Sequence, residues 1–150
     1  MMSFFVCAGL LGLLGVALLS NVGRMRGKTK IYIGDGGNTE LITAMRVQAN
    51  FVENVPLALI LIWLVSATYG PRTIAALSIG LVVARVLHAA GMLGYLPYGR
   101  MVGSILTLVV LLVSSIWCAS HATMRHWSGR LLTSTVMCLC SIRSWASSMR

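Results

Sequence analysis

The stretch from Arg46 to Val65 reads RVQANFVENVPLALILIWLV and decides the fold of this chain. Its second half is a continuous apolar run with the composition of a membrane-spanning segment. Its first half carries Arg46, Asn50 and Glu53 at helical spacing, so the three side chains share one helix face. Ionisable residues in a spanning helix usually face a bundle interior or a wet cavity. This face is therefore the first candidate for a functional site.

The composition of the whole chain indicates a membrane protein. Of its 150 residues, 57% are hydrophobic and 10% are charged, and the mean hydropathy is +0.86. A soluble domain of this size has about 25% charged residues. Four apolar segments of spanning length leave no room for a soluble domain. We therefore predict an all-α fold, an integral membrane four-helix bundle with up-down topology and short loops.

The predicted helices belong to one membrane domain, residues 1–125, followed by a short tail, residues 126–150, to which we assign no function. The second helix would be roughly 45 Å long, more than the ~30 Å hydrocarbon core, so its first turns should protrude into the cytoplasm or cross a polar cavity. A turn at Gly34–Gly37 precedes it, with Asn38 or Thr39 as its N-cap. The four helices are predicted over residues 4–22, 39–69, 73–94 and 101–120.

The net charge of +9 does not indicate a nucleic-acid partner. The basic residues are scattered, and no aromatic-basic platform of the kind that binds single strands is visible. Basic residues beside a membrane helix set topology and contact anionic lipid head groups. Their density after the first apolar segment predicts that the first loop is cytoplasmic and the amino terminus is outside. This cluster consists of Arg24, Arg26, Lys28 and Lys30.

The cysteines and histidines predict neither a disulfide framework nor a metal site. Cys7 and Cys118 lie in apolar segments, where a thiol behaves as a small hydrophobe. Cys138 and Cys140 offer two candidate ligands, and the three histidines do not complete a set with them.

The third apolar segment carries Arg85 and His88, three residues apart. An arginine in a membrane costs about 2.5–3.5 kcal/mol on insertion scales unless it is paired or hydrated. Glu53 is the only acidic residue in any spanning segment, so we predict an Arg85–Glu53 ion pair, within a subunit or between subunits. His88 could make an interhelical hydrogen bond or contact a ligand. Arg100 could be a topology charge or could stabilise an anion in a cavity that opens to the cytoplasm.

Residue types alone leave two interpretations of the polar face on the second helix. Structural ion pairs hold many membrane bundles together, so the face could serve subunit assembly. It could equally bind an anionic small molecule, since arginine grips carboxylates bidentately, glutamate accepts from an ammonium group and asparagine bonds amides. A small transporter is disfavoured because no pair of broken helices and no internal repeat is present.

The polar pattern of the second helix resembles that of the MAPEG family, the membrane-associated proteins in eicosanoid and glutathione metabolism. The preceding GDGGNTEL at residues 34–41 and ARVLH at residues 84–88 are similar to bacterial members, and the resemblance covers about residues 5–120. It implies a homotrimer in a bacterial inner membrane, with glutathione as co-substrate bound between adjacent subunits at the cytoplasmic side. The positions that carry the motif are Arg46, Gln48, Asn50, Glu53 and Pro56.

The same resemblance implies roles for individual residues. Arg100 falls near an arginine that stabilises the glutathione thiolate, which makes it the candidate catalytic residue. The implied activity is that of a glutathione transferase or glutathione-dependent peroxidase, acting on an apolar electrophile or hydroperoxide that arrives from the lipid. The alternative is a non-catalytic membrane protein of the same fold whose polar face serves oligomer assembly. The positions implied to bind glutathione or support its site are Arg46, Gln48, Asn50, Glu53, Arg85, His88 and Tyr95.

Two positions depart from the family's pattern. Asn54 stands where several eukaryotic members carry tyrosine, and Met92 replaces another tyrosine that contacts glutathione. Tyr95 or Tyr98 would have to substitute for the second. A first-helix arginine of the same site is expected to correspond to one of two residues, Arg24 or Arg26.

Overall fold

The structure of the protein, a computed structural model, describes residues 2–120. It confirms the predicted all-α fold, since all four helices are long and apolar enough to cross a membrane and the described residues contain no strand. The tail predicted at residues 126–150, with Cys138 and Cys140, lies outside the described residues. The helices are α1 Met2–Thr29, α2 Thr39–Val65, α3 Pro71–Met92 and α4 Gly99–Ser120.

Helix α1 extends seven residues beyond its predicted end at residue 22. The apolar run stops there, but the arginines and lysines that follow are good helix formers, and Arg26 and Lys28 in the last turn complement the helix dipole. The helix ends before Lys30, whose φ is +55°. With 28 residues it is roughly 42 Å long, so its basic end extends beyond a ~30 Å hydrocarbon core.

The start of α2 is set by an N-cap, as predicted. Asn38 has an extended backbone, and its Oδ1 accepts a hydrogen bond from the Leu41 amide at 2.9 Å. This bond satisfies one of the free amides of the first turn. Helix α2 ends at Val65 instead of residue 69, and α3 begins with Pro71 in its first turn, where proline is favoured.

The loop between α1 and α2 is held by one arginine. Arg26 Nη1 donates to the carbonyl oxygens of Ile31, Tyr32 and Gly34 at 3.2, 3.0 and 3.1 Å. Its other terminal nitrogen lies 3.5 Å from the sulfur of Met45, near the start of α2. The end of α1 and the start of α2 are thereby joined at the same end of the bundle.

Helices α3 and α4 pack backbone against backbone. A Cβ atom at Gly103 would lie 2.5 Å from both the Ala84 carbonyl oxygen and the His88 amide nitrogen, and one at Gly99 would lie 2.7 Å from the Leu87 carbonyl oxygen. Small residues allow this close approach in membrane bundles. The packing runs antiparallel and places the start of α4 beside the end of α3.

The four helices differ in which faces they bury. Helix α1 contacts both α2 and α3, and the fully buried side chains between helices are mainly aliphatic, among them Leu11, Leu41 and Leu81. Large apolar side chains such as Leu13 and Trp63 are exposed on the outer faces. This distribution suits lipid as the surrounding solvent. The contacts described below all lie in the compact unit that extends to Ser115.

Candidate functional site

A cavity of about 430 Å³ opens between α2, α3 and α4. It lies at the end of the bundle that carries the α1–α2 and α3–α4 loops, and its volume falls in the range of small-molecule sites, roughly 300–1,000 Å³. Five residues that the sequence singled out meet here. The lining residues are Ile42, Thr43, Arg46, Ala49, Asn50, Glu53, His88, Met92, Arg100 and Ser104.

Helical spacing explains how each helix contributes to the cavity. Helix α2 presents Arg46, Asn50 and Glu53 from a single face, as predicted from their periodicity. On α3, His88 lies one turn before Met92, and on α4 the first turn supplies Arg100. The close contacts of Gly99 and Gly103 with α3 bring the α3 side chains and Arg100 of α4 to the same cavity.

The cavity combines charges of both signs. Arg46 and Arg100 are exposed to it, and Glu53 is the single carboxylate among its lining residues. His88 is buried, with 6% of its surface exposed. A ligand with more than one anionic group and one cationic group would match this arrangement.

Arg85 lies below this cavity and does not pair with Glu53. It is 2% exposed, and its Nη1 donates to Asn50 Oδ1 at 2.9 Å and to the Asn50 carbonyl oxygen at 3.3 Å. Its Nε donates to Thr107 Oγ1 at 3.1 Å, and its Nη2 donates to the same oxygen. The predicted Arg85–Glu53 ion pair is therefore wrong within one subunit, because Arg85 faces neutral acceptors in the helix interface while Glu53 lies on the open rim. A pair between subunits stays a prediction.

Besides Arg85, two predicted site residues lie away from the cavity within one chain. Gln48 is two residues beyond Arg46, about 200° around the helix, and is absent from the lining. Tyr95 is 78% exposed and lines a separate cleft of about 360 Å³ between α1 and α3, together with Arg24. Met92, which stands where the family pattern has a tyrosine, lines the cavity. Tyr95, its expected substitute, does not.

The two first-helix arginines also have other partners within the chain. Arg24 donates to Asn21 Oδ1 at 2.8 Å, and Arg26 binds the loop carbonyls described above. Neither lines the cavity of its own chain. Among residues 2–120, no group of three or more histidine, cysteine, aspartate or glutamate side chains is placed to hold a metal ion.

The sequence model of the MAPEG family matches residues 4–120, which include every residue of the cavity and all four helices except the first two residues of α1. The chain belongs to the MAPEG family. The resemblance seen in the second-helix motif is thereby confirmed. A comparison with individual curated proteins finds no match.

The structure adds polar residues to this MAPEG site that the sequence interpretation overlooked. Ser104 lines the cavity, and Thr107 holds Arg85. The sequence of α4 could have revealed both residues, because Arg100, Ser104 and Thr107 are spaced by four and three residues. This is the same spacing as in the polar face of α2, so the fourth helix carries its own polar face toward the site.

Proposed function

We propose that this MAPEG protein binds glutathione in the cavity between α2, α3 and α4. We further propose that it uses glutathione for conjugation or peroxide reduction with an apolar substrate. The observation that carries the proposal is the meeting of Arg46, Asn50, Glu53 and Arg100 around one cavity in the segment matched by the family. MAPEG proteins include glutathione transferases and peroxidases.

The groups of glutathione complement this lining. The tripeptide has two carboxylates, one ammonium group and two amides. Arg46 would hold a carboxylate through two parallel hydrogen bonds, Glu53 would accept from the ammonium group, and Asn50 would bond an amide or carboxylate oxygen. A cavity that has three basic side chains and one acidic side chain favours such a ligand.

Arg100 is the proposed catalytic residue. A free thiol with a pKa of about 8.5 is mostly protonated at neutral pH, and a nearby cation increases the thiolate fraction. In conjugation, the thiolate would form a carbon–sulfur bond with the electrophile and either displace its leaving group as an anion or add to its activated double bond, with the resulting carbanion taking up a proton from water. In peroxide reduction, two glutathione molecules would be oxidised to the disulfide while the hydroperoxide becomes an alcohol and water.

A homotrimer with glutathione between adjacent subunits accounts for the implied role of Gln48 in glutathione binding. Because this side chain lies on the side of α2 away from Arg46, it can reach such a ligand only in the cavity of another copy. The arginines and lysines at the end of α1 lie at the same end of the bundle as the cavity. By the positive-inside rule, this end of the bundle faces the cytoplasm, which supports a cavity that opens on the cytoplasmic side of a bacterial inner membrane.

Calorimetric titration of glutathione into the detergent-purified oligomer tests the proposal. We expect saturable binding to the wild type and loss of binding in Arg46→Ala and Glu53→Gln. Arg72→Ala is the matched control, since Arg72 is exposed at the opposite end of the bundle. Size-exclusion chromatography of each variant separates an emptied cavity from a dispersed oligomer, which the assembly alternative predicts. A folded wild type that binds no glutathione would contradict the proposed function.

A further inference from the structure

The carboxamide of Asn50 stands between the cavity and the buried guanidinium of Arg85. We propose that Arg85 and Thr107 are positioning residues that hold this carboxamide in one orientation, with its NH2 group directed into the cavity. The cavity then presents a fixed hydrogen-bond donor at this point. For glutathione as the ligand, this inference rests on the proposed function. The orientation of the Asn50 carboxamide itself does not depend on the proposed function.

The orientation follows from the chemistry of arginine. A guanidinium has only donors, so the carboxamide atom that faces it must be the oxygen. Arg85 Nη1 lies 2.9 Å from Asn50 Oδ1 and 3.3 Å from the Asn50 carbonyl oxygen, so one nitrogen binds both the side chain and the backbone of the same residue. The nitrogen and the oxygen of a planar carboxamide diverge from the same carbon and point in different directions. Asn50 Nδ2 is therefore left to face away from Arg85.

Thr107 fixes the arginine from the opposite side. Its hydroxyl donates to the Gly103 carbonyl oxygen at 2.7 Å, which leaves the hydroxyl oxygen free to accept. Arg85 Nε, at 3.1 Å, and Nη2 both donate to that oxygen. Arg85 on α3 therefore donates to α2 through Nη1 and to α4 through Nε and Nη2, and the Thr107 hydroxyl passes its own proton on within α4. Arg85 is 2% exposed, so its donors have little contact with water.

A fixed donor at Asn50 determines how a ligand lies along α2. Glu53, three residues further on the same face, offers only acceptors at neutral pH. A carboxylate or carbonyl oxygen is therefore preferred at Asn50, and an ammonium group is preferred at Glu53. This donor–acceptor order selects one direction of a zwitterionic ligand and disfavours the reversed one.

The substitution Thr107→Val tests the role of the hydroxyl with little change in shape, and Thr107→Ser is its matched control. We expect Thr107→Val to weaken glutathione binding about tenfold, the effect of losing roughly one hydrogen bond. Thr107→Ser should restore wild-type affinity. In an Asn50→Ala background, Thr107→Val should have no further effect, because Thr107 acts through Asn50. Additive losses in this cycle would overturn the proposal, as would an unchanged affinity in Thr107→Val.

A second measurement reports on Asn50 without any ligand. The chain has four asparagines, Asn21, Asn38, Asn50 and Asn54, so selective ¹⁵N labelling gives four side-chain signals, and Asn50→Ala identifies one of them. We expect Thr107→Val to shift the Asn50 carboxamide signal and Thr107→Ser to leave it in place. An unmoved signal in Thr107→Val would overturn the proposal. If the signal responds as expected while the wild type binds no glutathione, the positioning stands and the proposed function fails.

Discussion

Arg85 Nη1 donates to Asn50 Oδ1 at 2.9 Å and joins α3 to α2 without a carboxylate in the contact. A buried arginine in a membrane bundle is usually expected to find an acidic partner. Here neutral oxygens of Asn50 and Thr107 satisfy the guanidinium instead. The one carboxylate of the cavity, Glu53, is left on its open rim, where it can meet a ligand.

This contact predicts opposite effects of Asn50→Asp on stability and on binding. The new carboxylate would lie at hydrogen-bond distance from Arg85 and form a buried ion pair, so we expect the free energy of unfolding to rise by about 1–2 kcal/mol. The same change removes the carboxamide donor and places a negative charge beside the ligand's carboxylates. Glutathione affinity should therefore fall. Denaturant unfolding and calorimetry measure the two effects.

The chain offers a matched control for this substitution. Asn21 accepts a hydrogen bond from Arg24 at 2.8 Å in the same kind of contact, but the pair is exposed. An exposed ion pair contributes little, about 0–1 kcal/mol, so Asn21→Asp should change stability only slightly. Equal stabilisation by both substitutions would argue against a special role for the buried contact.

Arg100 should control the ionisation of bound glutathione. Replacing it with glutamine removes a cation that favours the charged thiolate, so the pKa of the bound thiol should rise by about one unit. The pH at which thiolate absorbance appears in the ultraviolet would then move upward, and activity at neutral pH would fall. Arg100→Lys keeps the charge and should shift the titration less. A titration that is the same in Arg100→Gln and the wild type would exclude the proposed role.

The fold was predictable because it depends on patterns within single segments. Each helix has an apolar run of spanning length, and the face shared by Arg46, Asn50 and Glu53 depends only on the period of one helix. The end of α1 was misplaced because Arg26 and Lys28 interrupt the apolar run without interrupting the helix.

The partner of Arg85 could not be predicted in the same way. It depends on which residue of α4 faces α3, and that register is set by glycine contacts between the two backbones. The prediction considered only a partner of opposite charge, Glu53, although the neutral residues Asn50 and Thr107 lie nearer to the guanidinium. The placement of Gln48 outside the cavity follows from the helical period alone, since it lies about 200° around α2 from Arg46. The placement of Tyr95 depends on contacts between α1 and α3, which the period of one helix does not contain.

The close packing of α3 and α4 makes Gly103 sensitive to substitution. A Cβ at this position would lie 2.5 Å from the backbone of both Ala84 and His88, so Gly103→Ala must separate the helices. We expect a loss of stability of at least about 1–3 kcal/mol from this overpacking and a weaker site, because His88 and Arg100 would move apart. Reduced thermal stability and reduced glutathione affinity in the purified oligomer would be the measured results.

Gly80→Ala is the control for that substitution. Gly80 also faces α4, but its added Cβ would lie 3.6 Å from the Val110 side chain, an ordinary contact. Because alanine also favours the helix, this variant should be at least as stable as the wild type. If Gly103→Ala were tolerated equally well, the backbone contact would not hold α3 and α4 together.

Two buried hydroxyl groups in the same interface should be dispensable. Ser78 on α3 and Ser114 on α4 are 0% exposed, and neither hydroxyl oxygen has a hydrogen-bond partner. Counting seven residues along each antiparallel helix from the Arg85–Thr107 contact places them level with each other. A buried hydroxyl without a partner costs about 1–3 kcal/mol, so the double substitution Ser78→Ala and Ser114→Ala should raise the free energy of unfolding.

The two serines lie away from the cavity, so glutathione affinity should not change in this double variant. Unfolding in a denaturing detergent, followed by circular dichroism, measures the stability of each single variant and of the pair. If the pair is less stable than the wild type, the hydroxyls must bond to each other or to a buried water, which needs two to four polar partners. A coupling between the two single substitutions would then identify that shared contact, because independent sites would add.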